Sequence, residues 1–426
     1  MTGDGGQPRS GRVTRRTFLA GAAGAGVGLA AGIGGAAGVA RTGVFGEGQK
    51  HAAPPTVPFW GAHQAGITTP VQDRLQFAAL DLITSRREDV AGVFRAWSQA
   101  ASRMCAGQPV ADLNSDPVPP PPDTGEAVGL APARLTITFG IGPSLFSNNG
   151  EDRYQLASRR PSALADLPLF RNDALEAARS GGDLAIQACA DDPQVAFHAV
   201  RNLVRLAHGV AVPRWYQTGF GRTSSTSASQ ETPRNLMGFK DGTNNISGDD
   251  AGLMEQFVWA GEEGPSWMQG GSYLVARRIR IRLEAWDRDS LGSQETRVGR
   301  HKVSGAPLGG VHETDAVDLN ATENGQLIIP AQSHIRLASH ATNSGARMLR
   351  RGYSFLDGLD PAGEADAGLF FICYQRDPRS QFVRIQEQLA EQDALNLYLI
   401  HTGSAVFACP PGAREGDWIG RSLFES

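Results

Sequence analysis

Apolar and polar positions along the chain follow two periods, and each period predicts an element. Phe77–Thr84 reads as a strand, and Ser85 with Glu88 matches a capping box for the helix that follows. In that helix Val90, Phe94, Trp97, Ala101 and Met104 recur at helical spacing and form one core stripe. Leu135, Ile137 and Phe139 alternate with Thr136 and Thr138, the two-residue repeat of a strand. Leu184–Cys189 predicts a third strand, Gln194–His208 an amphipathic helix and Val210–Gln217 a fourth strand. Strand, helix, strand, strand, helix, strand is the ferredoxin-like plan, an antiparallel sheet with two helices on one face. Ala106–Ala131, rich in Pro and Asp, is expected to be an exposed loop of polyproline II character. His198 and His208, near the ends of the second helix, are expected to be solvated or to act as caps, and His63 to be structural.

The second half repeats the theme. From Tyr273 to Trp286, Ile279, Ile281 and Leu283 alternate with Arg278, Arg280 and Arg282, which predicts a strand with a solvated basic face. A helix is expected over Asp287–Arg300, with Asp287 as its cap. Another runs from Phe382 to about Leu397, between strands at Leu369–Tyr374 and Ser404–Cys409. The expected fold class is α+β, with two ferredoxin-like domains built on antiparallel sheets. The Ser/Thr-rich segment Thr223–Pro233 marks the boundary, which puts one domain at 58–222 and the other at 223–426.

Composition narrows the class. A chain of 426 residues is long enough for two or three domains. With 41% hydrophobic and 20% charged residues, it can bury a sizeable core. The formal net charge is −4, so neither nucleic acid nor an anionic membrane is called for as a partner. Cys105, Cys189, Cys373 and Cys409 lie far apart, with no CxxC or Cys/His cluster, which argues against a zinc site. Cys189, Cys373 and Cys409 fall in apolar runs, where a buried free thiol is expected.

The N-terminus reads as an address. Thr14–Leu19 is TRRTFL, and the run Ala20–Ala40 holds eight glycines and few large aliphatics. It resembles a twin-arginine export signal over 1–40, followed by a linker over 41–57. A lasting membrane span would need ~20 strongly apolar residues, so none is expected after cleavage. The expectation is an exported protein, secreted or held in the periplasm or cell envelope.

Three stretches carry candidate chemistry. NLMGFKDGTNN (Asn235–Asn245) sets Asp241 among glycines, IPAQSHIRLAS (Ile329–Ser339) holds His334, and MLRRGYSF (Met348–Phe355) holds Arg350. Each alone has an ordinary reading as a turn, a structural histidine or surface charge. Together with FWGAHQAGITTP (Phe59–Pro70) and GRHKVSGAPLGG (Gly299–Gly310), in this order, they resemble the dye-decolourising peroxidase family, in its exported branch. The resemblance runs from about Pro58 to Pro411.

That resemblance implies a peroxidase with one haem b per chain, bound in the C-terminal domain. His334 matches the proximal iron ligand, Asp241 the distal acid, and Arg350 the distal arginine beside the cofactor. Gly242, Thr243 and Asn244 fall where the family's loop lies against haem. Asp393, in DALNLY, falls where an acid hydrogen-bonds the proximal imidazole. His340 is a rival ligand outside the motif. Such an acid makes imidazole a stronger donor to iron. A carboxylate can move a proton of hydrogen peroxide, and stays basic in acid solution where imidazole does not, so activity is expected to peak at low pH. Arginine offers fixed donors to developing negative charge. The implied reaction oxidises dyes, phenols or other one-electron donors through a ferryl intermediate. Electrons from bulky donors would pass through Trp or Tyr side chains. The rival reading is a haem-handling or iron-uptake protein, deferrochelatase-like, with little turnover. A homo-oligomer or an iron-uptake partner is left open.

Overall fold

Eight strands organise the computed structural model, which describes Met1 and residues 56–425 apart from Ser115. The expected export signal, Met1 aside, and the linker up to residue 55 lie outside the described residues. Strands β1 (Arg74–Leu82), β2 (Thr136–Ile141), β3 (Leu184–Ala190) and β4 (Ala211–Arg222) form one antiparallel sheet in the order β4–β1–β3–β2. Strands β5 (Ser272–Ile281), β6 (Tyr353–Leu359), β7 (Ala365–Gln375) and β8 (Leu399–Cys409) form another in the order β8–β5–β7–β6. Both have the ferredoxin-like order fourth, first, third, second.

The two sheets also pair with each other, so the eight strands close into a ring. The seams are thin. β2 meets β8 through Ile141 and Ala408 alone. β4 meets β6 through Phe220 with Ser354 and Arg222 with Tyr353.

The alternation of strand side chains builds two cores. On β1, Ala78 and Leu80 face helices α1 (Arg87–Cys105) and α2 (Pro193–Leu206), with Trp97 and Phe139 stacked between them at 5.1 Å. Phe77 and Ala79 face the ring interior with Trp215, Phe370, Tyr374 and Phe407. A smaller cluster of Phe239, Trp286, Val298, Leu395 and Tyr398 packs below the candidate residues. All four cysteines are buried and free, and burial pushes their thiols up. Among the described residues no helix is long and apolar enough to cross a membrane.

Four expectations need correcting. Thr84, not Ser85, serves the start of α1, accepting from Arg86 N at 3.1 Å and donating to Asp89 at 2.6 Å. The helix after Trp286 starts later, as α3 (Leu291–Val298), and Ser290 caps it. Of the basic row, only Arg282, just past the end of β5, is exposed as expected. Arg278 is buried between Asp357 and Asp366, each at 2.8 Å, and Arg280 reaches Asp360 at 2.8 Å. These acids lie on the β6–β7 hairpin, 79 to 88 residues further along the chain, and cover Arg278 and Arg280. His198 is not solvated either; it is buried and bonds Asp123 at 2.8 Å.

Neighbouring Arg277 is fully buried against the equally buried Asp173, and donates to Ser404 Oγ at 2.9 Å. Removing one partner of such a pair strands the other charge away from water. Asp173→Ala is therefore expected to lower unfolding free energy by about 3–5 kcal/mol, read from urea denaturation midpoints.

Candidate functional site

His334 opens the one-turn helix α4 (His334–Leu337). Two features hold it in place. Arg336 reaches back to the carbonyls of Ile329 and Pro330, at 2.6–3.1 Å, and so anchors the loop leading into α4. Gly299 ends α3 at φ +90°, and a Cβ there would sit 2.6 Å from Ile335, so only glycine allows α4 this close.

The predicted helix Phe382–Leu397 is broken, and the break matters. Helix α5 (Arg384–Gln392) stops at Asp393, whose backbone turns extended (ψ 124°) before a single 3-10 turn. Asp393 caps that turn, accepting from Leu395 N at 2.9 Å through Oδ1. Its Oδ2 stays available and accepts from His334 Nδ1 at 2.6 Å. Ala394 N donates to Gln332 O at 3.0 Å, tying the two segments together.

Asp393 is buried, whereas the His334 side chain is 36% exposed. Burial opposes charge on the imidazole, but the Asp393 carboxylate outweighs it and raises the His334 pKa. Asp241 adds to the rise and Arg350 opposes it, so both lie near enough to bear on His334. Nε2 has no hydrogen-bond partner among the described residues.

Asp241 sits in a tight bend, its N–H donating to Pro233 O at 2.9 Å. Its carboxylate accepts from Arg350 at 2.8 Å and from Asn235 at 3.3 Å. Arg350 lies on a two-residue strand, Leu349–Arg350, beside β7. Asn245 fixes this strand: its Oδ1 accepts from Arg350 N and its Nδ2 donates to Arg350 O, both at 2.9 Å. This clamp escaped the sequence reading, although Asn245 closes the motif that holds Asp241.

Gly242 adopts φ +106°, a conformation that favours glycine, and a Cβ there would stand a tight 3.1 Å from the backbone of Ser224 and Ser225. Thr243 donates to Glu313 at 3.0 Å, and Lys240 also pairs with Glu313. Arg300, buried, donates to Gly305 O at 2.7 Å and Glu313 O at 3.0 Å, which fixes the Gly299–Gly310 loop beside them. Asn244 is exposed. His340 is exposed as well, and His63 stacks on Trp259 at 3.8 Å while its Nδ1 bonds Gly270 O at 2.7 Å. Neither joins the cluster. Arg351, beside Arg350, is fully buried and reaches Gln72 at 2.8 Å, so it joins the two halves.

Residues 64–221 match the family described as Dyp-type peroxidase, N-terminal, and residues 232–414 match Dyp-type peroxidase, C-terminal. The chain belongs to the Dyp-type peroxidase family. It is 42% identical to a DyP-type peroxidase of Streptomyces coelicolor, over 88% of this chain and 98% of that one, with a TM-score of 0.80. Ferric DtpA of Streptomyces lividans is 41% identical over the same shares, also at 0.80. A protein of Escherichia coli strain K12 named deferrochelatase is 39% identical over 86% of both chains.

As a Dyp-type peroxidase it is a haem enzyme, and takes hydrogen peroxide and a reducing substrate. The residues present fit haem. An imidazole with one nitrogen bonded to a buried carboxylate and the other unpartnered is suited to ligate iron. Near it lie an acid and a fixed cation, the groups peroxide chemistry needs.

Two substitutions probe this arrangement. Asp393→Ala is expected to weaken haem affinity about 10–100-fold, read by haem titration at the Soret band. Asn245→Ala frees the Arg350 backbone and is expected to lower stability by about 1–3 kcal/mol, read by urea unfolding of the haem-loaded protein.

Proposed function

We propose that this chain is an exported haem b peroxidase that uses hydrogen peroxide to oxidise dyes, phenols or similar one-electron donors. The observation that carries the reading is the Asp241–Arg350 pair at 2.8 Å, near enough to act on His334. A protein that only carried haem would have little use for an acid and a cation so joined.

His334 would hold the iron through Nε2, and Gly242, Thr243 and Asn244 would border the cofactor. When bound, haem supplies a redox-active iron that takes oxidising equivalents from peroxide and passes them to donors one at a time. The chain's own part is proton and charge handling. Asp393 holds the His334 Nδ1 proton and keeps the ring aligned and electron-rich. The Asp241 carboxylate takes the proton from one oxygen of hydrogen peroxide and returns it to the other, which leaves as water. The guanidinium of Arg350 offers N–H donors to the negative charge that develops on the departing oxygen. Its bond to Asp241 keeps both groups aimed before peroxide arrives.

Export rests on TRRTFL at Thr14–Leu19 and the Gly/Ala run behind it. That placement, in the cell envelope or outside, is part of the proposal. A second reading, release of iron or haem to a partner, is supported by the 39% identity to deferrochelatases. Iron or haem leaving the loaded protein faster than peroxide is consumed would favour it.

The test is stopped-flow absorption of the haem-loaded protein mixed with one equivalent of hydrogen peroxide. Asp241→Ala is expected to slow the spectral change about 10²–10⁴-fold, and Arg350→Ala about 10²–10³-fold, with the Soret band kept. His334→Ala is expected to lose the native Soret band. Unchanged rates in both distal variants would sink the assignment.

A further inference from the structure

A cavity of about 170 Å³ lies far from His334 in the chain, where the end of α1, the start of α2 and the Pro-rich loop meet. None of the residues assigned above to haem or peroxide lines it. Its walls are largely apolar, with Met104, Leu135 and Val195 inside and Val128 and Leu130 at an exposed rim. One pole is polar: Asp123 and His198 both line it, and both are buried.

The loop is built around that pole. Asp123, its side chain fully buried, accepts from Val110 N at 2.8 Å, Gly125 N at 2.7 Å and His198 Nε2 at 2.8 Å. On either side the loop is fastened to α2. Asn202 donates to Thr124 Oγ1 at 2.7 Å, Arg201 pairs with Glu126, and Arg205 donates to Pro121 O. The cavity opens to solvent beside Gly107, Gln108, Val128 and Leu130, and the polar ties fix the loop that forms its wall.

Size and chemistry select the occupant. An apolar cavity of about 150 Å³ accommodates benzene, so this one takes a single aromatic ring. Asp123 can only accept, so His198 donates to it through Nε2. The other ring nitrogen, Nδ1, has no partner among the described residues. A hydroxyl can both donate and accept, so it can pair with that nitrogen. A carboxylate would meet the Asp123 charge, whereas a phenol brings a neutral O–H on a ring of the right size.

We propose that this cavity binds a single-ring phenol, its ring between Met104, Leu135 and Val195 and its hydroxyl hydrogen-bonded to His198 Nδ1.

The probe is 4-fluorophenol, followed by ¹⁹F NMR in titrations of the haem-loaded protein. Fluorobenzene and 4-fluorobenzoate serve as comparisons. Val195→Phe fills the cavity, and Leu130→Trp closes its mouth from the exposed rim, where folding is at little risk. The wild type is expected to bind 4-fluorophenol at least about tenfold more tightly than either comparison. Both variants are expected to lose at least tenfold in affinity with the Soret band unchanged, which separates this site from any binding at haem. Variants that bind like the wild type, comparisons that bind as tightly, or no saturable binding in the millimolar range would each overturn the proposal.

Discussion

The hydrogen bond from His334 to Asp393 is where the local folding of two distant segments becomes one device. For Asp393 to accept it, α5 has to stop one residue earlier and its backbone has to turn extended. The carboxylate then serves two donors at once, the N–H of its own short turn and the imidazole of α4. Arg336 and Gly299 serve the same end from the other side, one anchoring the loop before His334 and the other letting α4 approach α3. Because Asp393 is buried and the imidazole half-exposed, one ring nitrogen is committed and the other presented.

The Asp241–Arg350 pair is held by different means. Neither residue sits on a long element, so the surrounding loops must supply rigidity. Asn245 does so by bonding both backbone groups of Arg350, and the sharp bend at Gly242 brings its own segment against Ser224 and Ser225. Glu313 gathers Lys240 and Thr243 on the flank, and Arg300 holds the carbonyl of Glu313 in turn. A charged pair aligned in advance spends less free energy on orientation when substrate arrives.

Much of the scaffold was legible because strand and helix periods are local. Val90, Phe94, Trp97, Ala101 and Met104 are all buried, as their spacing predicts. Two of the misreadings share one cause, a partner distant in the chain. Alternation on β5 shows that Arg278 and Arg280 share a face, but not what covers that face, and the covering acids arrive 79 to 88 residues later. His198 reads as an isolated histidine because Asp123 lies 75 residues away. The break at Asp393 is hidden because the apolar spacing runs through it from Phe382 to Leu397. The site residues were found as motifs in order. The side chains that steady them, Asn245 and Arg336, are ordinary in type and become visible only through their partners.

The two thin seams have a consequence for how the chain reaches its native state. Residue 141 cannot pair with residue 408 until nearly the whole protein exists, so ring closure is a late, long-range event. As the chain emerges from the ribosome, the first sheet forms with β2 and β4 as open edges, each able to recruit a foreign strand. Lodged in the β2 edge is Gly140, where a Cβ would stand 2.8 Å from Phe407 of β8. The edge left open longest is thus shaped to accept one particular late-arriving strand, and a bulkier residue there would keep the ring from sealing.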